Sequence, residues 1–244
     1  AAYDLWKWLV SKTDFHGQKD DYVRIERLDF PQFAQQLDRN LKQYNSSRRE
    51  KSLSELIAEP EGTRLEFKSS VWATYRRDKP IHIPSKNKNE KTQDSVVRTI
   101  AAFLNTEGGK LIIGIHDKPT TTVVGIEEDF AYSGGSKNEE SFLNSLSDLI
   151  KSRLKDDTLV GTYVKIDDPI ETIQGKMVCV VNVHKRQPKH WTYADLKDWK
   201  GKPLLDAFFV RSGPSTKLIP SRASADEWKR SSEELRENWQ FSDD

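Results

Sequence analysis

TQDSVVRTIAAFLNTEGGKLIIGIHD, residues 92–117, holds a helix, a turn and a strand in that order. Val96, Ile100, Phe103 and Leu104 share one face over residues 92–105, as a helix of 3.6 residues per turn requires. Glu107-Gly-Gly109 reads as a turn. Lys110–His116, KLIIGIH, carries a continuous apolar run, the pattern of a strand buried on both faces. A strand of that kind needs a layer on each side of its sheet, which points to a mixed α and β domain.

Working outward, Arg64–Ser69 alternates polar with apolar residues and predicts a strand before the helix. Residues 74–94 are polar, hold Pro80 and Pro84, and read as a loop. Thr121–Ile126 predicts a short strand forming a hairpin with the strand at 110–116. Phe142, Leu146, Leu149, Ile150 and Leu154 mark a long amphipathic helix. Leu159–Ile166 and Met177–Val183 read as a pair of strands, and Asp206–Arg211 as another, followed by a Gly-Pro turn. Asp226–Trp239 reads as a charged terminal helix. The fold class is therefore α+β or α/β, a mixed β-sheet flanked by helices.

The domain reading is an N-terminal helical extension over 1–54, a core over 55–225 and a C-terminal helix over 226–244. In the extension, Tyr3, Trp6, Leu9 and Val10 suggest one helix, and Phe33, Leu37 and Leu41, behind Pro31, another. Leu53, Leu56 and Ile57 suggest a third, ended by Pro60. The opening AAYDLWKWLV is interrupted by Asp4 and Lys7 and does not read as a signal peptide. It reads as the start of a fragment or of a processed chain, and a cytoplasmic protein is expected.

Composition excludes several classes. Of 244 residues, 35% are hydrophobic and 32% charged, with a mean hydropathy of −0.76, yet 7 Trp, 7 Tyr and 10 Phe are enough for a core. No apolar run reaches the roughly 18 residues of a membrane span. One Cys excludes a disulfide scaffold and a Cys-rich zinc site. Lys and Arg number 39 against 38 Asp and Glu, so any basic surface must be local.

Three constellations carry chemistry. Glu61 precedes the first strand, Glu66 lies inside it, and Asp117 follows the buried strand; carboxylates from separate segments are hard oxygen donors suited to Mg²⁺ or Mn²⁺, with solvated strand-end carboxylates as the competing reading. Lys68, two residues after Glu66, shares its sheet face and is placed to offset charge on a phosphate. Second, Arg211-Ser-Gly-Pro-Ser-Thr-Lys217 follows an apolar strand; Arg211, Ser215, Thr216 and Lys217 offer donors to a phosphate. An ordinary hairpin turn is the competing reading. Third, residues 68–118 hold ten Lys or Arg and five Asp or Glu, a balance of +5. Much of it lies in Tyr75–Lys91, where Arg76, Arg77, Lys79, Lys86 and Lys88 could follow a nucleic-acid backbone, unless the segment is simply a solvated loop.

Other signals fail. Thr106-Glu-Gly-Gly-Lys110 lacks the G-x-x-x-x-G-K-[ST] phosphate loop, so no nucleotide cofactor is expected. Cys179 lies in an apolar run and reads as a buried structural thiol. The histidines lack metal spacing, and His116, beside Asp117, faces either the site or the core.

Together, Glu61-Gly-Thr-Arg-Leu-Glu-Phe-Lys68, Thr99–Gly109, Leu111–Asp117, Val124-Gly125 and Phe209–Thr216 resemble, in order, the motifs of the Schlafen-type AlbA-like domain, over about residues 55–225. The resemblance implies a nucleic-acid-facing domain. Some members are metal-dependent endoribonucleases acting on tRNA and rRNA; others are DNA-binding regulators. It places nuclease carboxylates on Glu61, Glu66 and Asp117 and the accompanying lysine on Lys68. Animal members carry two core copies forming a U-shaped pair of lobes and a Cys/His zinc site. This chain shows one copy and no zinc ligands. A homodimer would then supply the second lobe. The expected function is a metal-dependent endoribonuclease acting on tRNA-like RNA or single-stranded nucleic acid. The alternatives are a non-catalytic DNA- or RNA-binding regulatory module, or an adaptor in a larger system such as antiviral defence.

Overall fold

The computed structural model describes residues 51–241 apart from 77–78, 82–85, 118–119, 134, 167–169, 187–189 and 199. All but Lys51 and Ser52 lie in the unit Leu53–Asp244; the helices expected within 1–50 fall outside the described residues.

The elements in chain order are α1 (Leu53–Ile57), β1 (Leu65–Lys68), β2 (Thr74–Arg76), β3 (Lys79–Ile81), α2 (Lys86–Asn105), β4 (Gly109–Ile113), β5 (Ile115–His116) and β6 (Thr122–Val123). A 3₁₀ turn over Glu127–Ala131 precedes α3 (Glu139–Leu154) and the single turn α4 (Leu159–Thr162). Then come β7 (Val164–Lys165), β8 (Ile170–Ile173), β9 (Lys176–Val183), β10 (Ala194–Lys197), β11 (Pro203–Ser212), β12 (Ser215–Ile219) and α5 (Arg222–Phe241).

The main sheet runs β1-β4-β9-β7, with β8 also on β9. β1 is parallel to β4, with Lys68 opposite Ile113; β9 is antiparallel to β4, with Cys179 opposite Ile113. The sheet is mixed, as the element order implies. β10, β11 and β12 form a separate antiparallel sheet.

The apolar run in β4 is covered on both faces. Leu111 and Ile113 join Phe103, Ile100 and Val97 of α2 and Phe142 and Leu146 of α3. Ile112 turns the other way, onto Leu53 and Leu56 of α1, Leu65 and Phe67 of β1, and Val178 and Val180 of β9. Cys179, on the α2 side, is fully buried, and burial pushes its thiol pKa up.

Several sequence boundaries move. The expected single strand 110–116 is cut at Gly114, where φ is +103° and an added Cβ would come within 3.2 Å of Gly125 backbone. Such a conformation favours glycine. The predicted hairpin then forms between β5 and β6. The segment expected to be a loop over 74–94 is instead the β2–β3 hairpin followed by the first turns of α2, which begins at Lys86. KNKNEK gives a good helix start but no apolar stripe to announce it. Leu159–Ile166 holds the turn α4 before the two-residue β7 rather than one strand. The Phe142–Leu154 and terminal helices and the strands at Met177–Val183 and Asp206–Arg211 lie where their patterns put them. Among the described residues no helix is long and apolar enough to cross a membrane.

Candidate functional site

β1 and β4 run parallel, and their carboxyl ends open on the same side of the sheet, where ligand sites gather in such folds. The alternation of β1 sends Leu65 and Phe67 into the α1 side of the core. Glu66 and Lys68 are thereby sent to the α2 face. Lys68 Nζ donates to Glu66 Oε1. The other carboxylate oxygen, Oε2, accepts from Arg211 Nη1 at 2.8 Å. Glu66 is therefore held between two cations and is itself 8% exposed.

Glu61 enters from the other direction. Among the described residues β1 pairs on one edge only, with β4. Glu61 Oε1 accepts the Phe67 N–H at 2.8 Å, which satisfies a backbone donor that an unpaired strand edge would leave open. Burial holds the Glu61 carboxyl above its ordinary range; the Phe67 bond and Lys68 pull it down, while Glu66 and Asp117 push it up. Glu61, Glu66, Lys68 and Asp117, from three segments, thus share one electrostatic environment.

Asp117 owes its place to the Gly114 break. The Gly114 N–H donates to Lys68 O at 2.8 Å, and Gly114 O accepts from the Val124 and Gly125 N–H groups, each at 2.9 Å. This fastens the β5–β6 hairpin to the end of β1. Ser69 Oγ lies 2.8 Å from His116 Nδ1, a second tie across the same corner. Both residues are half-buried, so His116 belongs to this polar corner rather than to the apolar core.

Three carboxylates supply hard oxygen donors, but their arrangement does not suit a three-ligand ion. Among the described residues no group of three or more His, Cys, Asp or Glu could hold a metal. Both oxygens of Glu66 already face cations. Charge in the mouth is balanced by Lys68 and Arg211 from within the chain.

The phosphate-contact loop expected at 211–217 divides. Ser215 and Lys217 are exposed on the β11–β12 hairpin and Thr216 is half-buried. Arg211 points inward with a side chain 0% exposed, beyond the direct reach of a phosphate. Of the basic residues expected to track a backbone, Arg76 lies on β2, Lys79 on β3, and Lys86 and Lys88 in the first turns of α2; Arg77 lies outside the described residues. Tyr75 of β2 is half-buried and donates to Gly125 O at 3.4 Å.

Two residues escaped the sequence reading. Asp129 is fully buried, and its carboxylate accepts the N–H groups of Val71 (2.9 Å), Trp72 (2.9 Å) and Ala73 (2.7 Å). It anchors the segment leaving β1, yet in the acidic stretch Glu127-Glu128-Asp129 nothing sets it apart. Asn105, at the end of α2, donates to Thr192 O and Phe209 O and accepts from Thr192 N. It joins α2 to β11, the strand that carries Arg211.

A family model described as Schlafen, AlbA_2 matches residues 61–220, and the chain belongs to that family. No curated protein matches the chain. Among solved structures, the DIP2311 protein from Corynebacterium diphtheriae is 23% identical with a TM-score of 0.41; the match covers 73% of this chain and 31% of that one. The chain thus spans about a third of that protein's length. The N-terminal domain of a Nitrosomonas europaea protein, described as related to the ATP-dependent DNA helicase RecG, is 18% identical with a TM-score of 0.39, over 71% of this chain and 97% of that domain.

Proposed function

We propose that this member of the Schlafen AlbA_2 family binds nucleic acid across the mouth at the ends of β1 and β5, and that it cleaves RNA there. The observation that carries the reading is the grouping of Glu61, Glu66, Lys68 and Asp117 in one electrostatic environment. A run of phosphates would meet Lys68 at the rim, with exposed Ser215 and Lys217 on the neighbouring hairpin. Arg76, Lys79, Lys86 and Lys88 would add non-specific attraction to the backbone. Glu61, whose proton affinity is raised by burial, is the group best suited to take a proton from an attacking oxygen. Among the described residues the carboxylates as arranged do not form a ligand set for Mg²⁺ or Mn²⁺.

RNA is favoured over DNA on the family resemblance, and a homodimer would complete a two-lobed groove. Light scattering at tens of micromolar, with and without RNA, tests the dimer; a strict monomer in both removes it. The function is tested by incubating the full chain with tRNA, single-stranded DNA and duplex DNA, once with Mn²⁺ and once with EDTA. RNA cleavage that Asp117→Asn and Glu61→Gln abolish is the expected result. Binding with no cleavage in either arm would reduce the domain to a non-catalytic nucleic-acid-binding module. No binding to any of the three would reject the reading.

A further inference from the structure

Arg211 is the most deeply enclosed cation near the mouth. Its guanidinium lies 5.1 Å from the centre of the Phe103 ring. Nη1 donates to Glu66 Oε2 at 2.8 Å and to Thr216 Oγ1 at 3.0 Å, and Nη2 donates to Gly62 O at 2.5 Å. Nε is buried with no hydrogen-bond partner. An arginine with no exposed side-chain surface cannot meet a phosphate. Its planar fork suits it to hold two separate acceptors at a fixed spacing.

Those acceptors belong to two of the three segments that carry the carboxylates. Gly62 is the residue after Glu61, and Glu66 is the carboxylate itself. Between them the chain turns locally, with Gly62 N–H on Leu65 O at 2.9 Å, and meets β4 through Arg64 O, which accepts the Lys110 N–H at 2.8 Å; neither bond holds Glu61 itself. Glu61 is half-buried, and like charge from Glu66 and Asp117 acts on it, so a tie is needed to hold it there. We propose that Arg211 is the positioning residue of the carboxylate mouth. It pins Gly62 and Glu66 to β11, so that Glu61 stays on the edge of β1 and Glu66 keeps its other oxygen on Lys68. It does this without touching the nucleic acid. The proposal rests on the reading of this mouth as the working site.

The test uses the full chain with Arg211→Lys and the milder Thr216→Val, which removes one acceptor of the guanidinium. The first readout needs no substrate. The Phe67 N–H sits on the unpaired edge of β1 and is bonded to Glu61 Oε1. Its hydrogen-exchange rate therefore reports whether Glu61 is in place. We expect Phe67 exchange to rise at least tenfold in Arg211→Lys relative to Ile112 in the buried strand, and in the same direction but less in Thr216→Val. A residue that only adds stability would speed both amides equally, and that result overturns the proposal. The second readout is RNA. Affinity and its salt dependence should stay within twofold of wild type while the cleavage rate falls at least tenfold. Weaker binding with a salt slope lower by about one would make Arg211 a phosphate contact instead. If wild type cleaves nothing, the nuclease reading fails, and the exchange ratio still decides the role of Arg211. If Arg211→Lys does not fold, Thr216→Val decides it by the same ratio.

Discussion

Two acidic assemblies flank the same short stretch of chain, and they are built on opposite plans. Asp129 is fully buried and spends both oxygens on consecutive backbone N–H groups at Val71, Trp72 and Ala73. Glu61, Glu66 and Asp117 lie at the mouth, where side-chain cations hold both oxygens of Glu66 and Glu61 stays half-buried. Backbone donors cannot leave, so the first plan fixes the fold. Of the two cations at the mouth, Lys68 keeps some exposed surface and can be shared with an incoming phosphate, while Arg211 is enclosed. By its partners more than by its burial, the fully buried acid is separated from those that the proposed function would use.

The largest effect should come from breaking the first plan. Asp129→Ala would leave three buried N–H groups without an acceptor. At about 1–3 kcal/mol for each unsatisfied group, less what relaxation and water recover, the loss should be about 3–5 kcal/mol. Urea unfolding measures it. A loss below about 1 kcal/mol would mean that Asp129 is no more structural than the acids of the mouth, and the comparison would fail.

The second effect is pH-dependent. Burial pushes the Asp129 carboxyl up to about 6, against the pull of its three N–H bonds. A group raised in the folded state contributes stability that is fully present below its unfolded value near 3.8 and is lost as pH rises through about 6. That window is worth about 3 kcal/mol at 1.36 kcal/mol per pH unit. Wild type should therefore lead Asp129→Asn by more at pH 4.5 than at pH 7, and comparing the pair cancels the other titrating groups. A gap that does not change with pH would show that the N–H bonds outweigh burial and keep the carboxylate charged throughout.

These two plans were unequally legible in the sequence. The buried strand, the long helices and the order of elements follow from periodicity alone. The β2–β3 hairpin, the extra turns of α2 before Thr92 and the short strands β8 and β10 do not: the sequence of 74–91 is polar with two prolines, Ile170–Ile173 is apolar only at its ends, and Ala194–Lys197 alternates over only four residues. The acids of the mouth stood out as Glu61-x₄-Glu66-x-Lys68 and the Asp117 that closes the apolar strand. The link from Glu66 to Arg211 spans 145 residues, and no local spacing encodes it. Arg211 was noticed for its hairpin and given an outward role. Asp129 had no local signature at all, since its partners are backbone groups and carry no residue type to search for.

A third effect concerns binding rather than folding. Replacing Arg76, Arg77, Lys79, Lys86 and Lys88 with Ala should weaken affinity for every nucleic acid alike. It should also flatten the plot of log affinity against log salt by up to about one unit per lost contact. Stability should change by no more than about 0.5 kcal/mol per site. If the slope stays at the wild-type value, the β2–β3 hairpin and the start of α2 lie off the binding surface. The exposed Ser215 and Lys217 then remain as the rim contacts beside Lys68.

The smallest expected effect on stability is also the sharpest test of the second plan. Glu61→Gln keeps a side-chain oxygen for the Phe67 N–H, so the edge of β1 stays capped. It removes a charge that burial, Glu66 and Asp117 all disfavour and that Lys68 only partly offsets. A carboxyl with a raised proton affinity weakens the fold as pH rises past its unfolded value, so the neutral amide should be level with wild type or up to about 1 kcal/mol more stable at pH 7. At pH 4, where the native carboxyl is protonated, the two should converge. RNA cleavage by the same variant should fall to background while affinity for RNA holds or rises slightly, since one negative charge has left the phosphate path. Stability kept and activity lost is the signature of an acid placed for chemistry. A variant destabilised by more than about 2 kcal/mol, the range of a lost buried hydrogen bond to a charged group, would put Glu61 in the same class as Asp129. The mouth would then be a second structural cap on the strand edge, with no carboxylate left poised for the substrate.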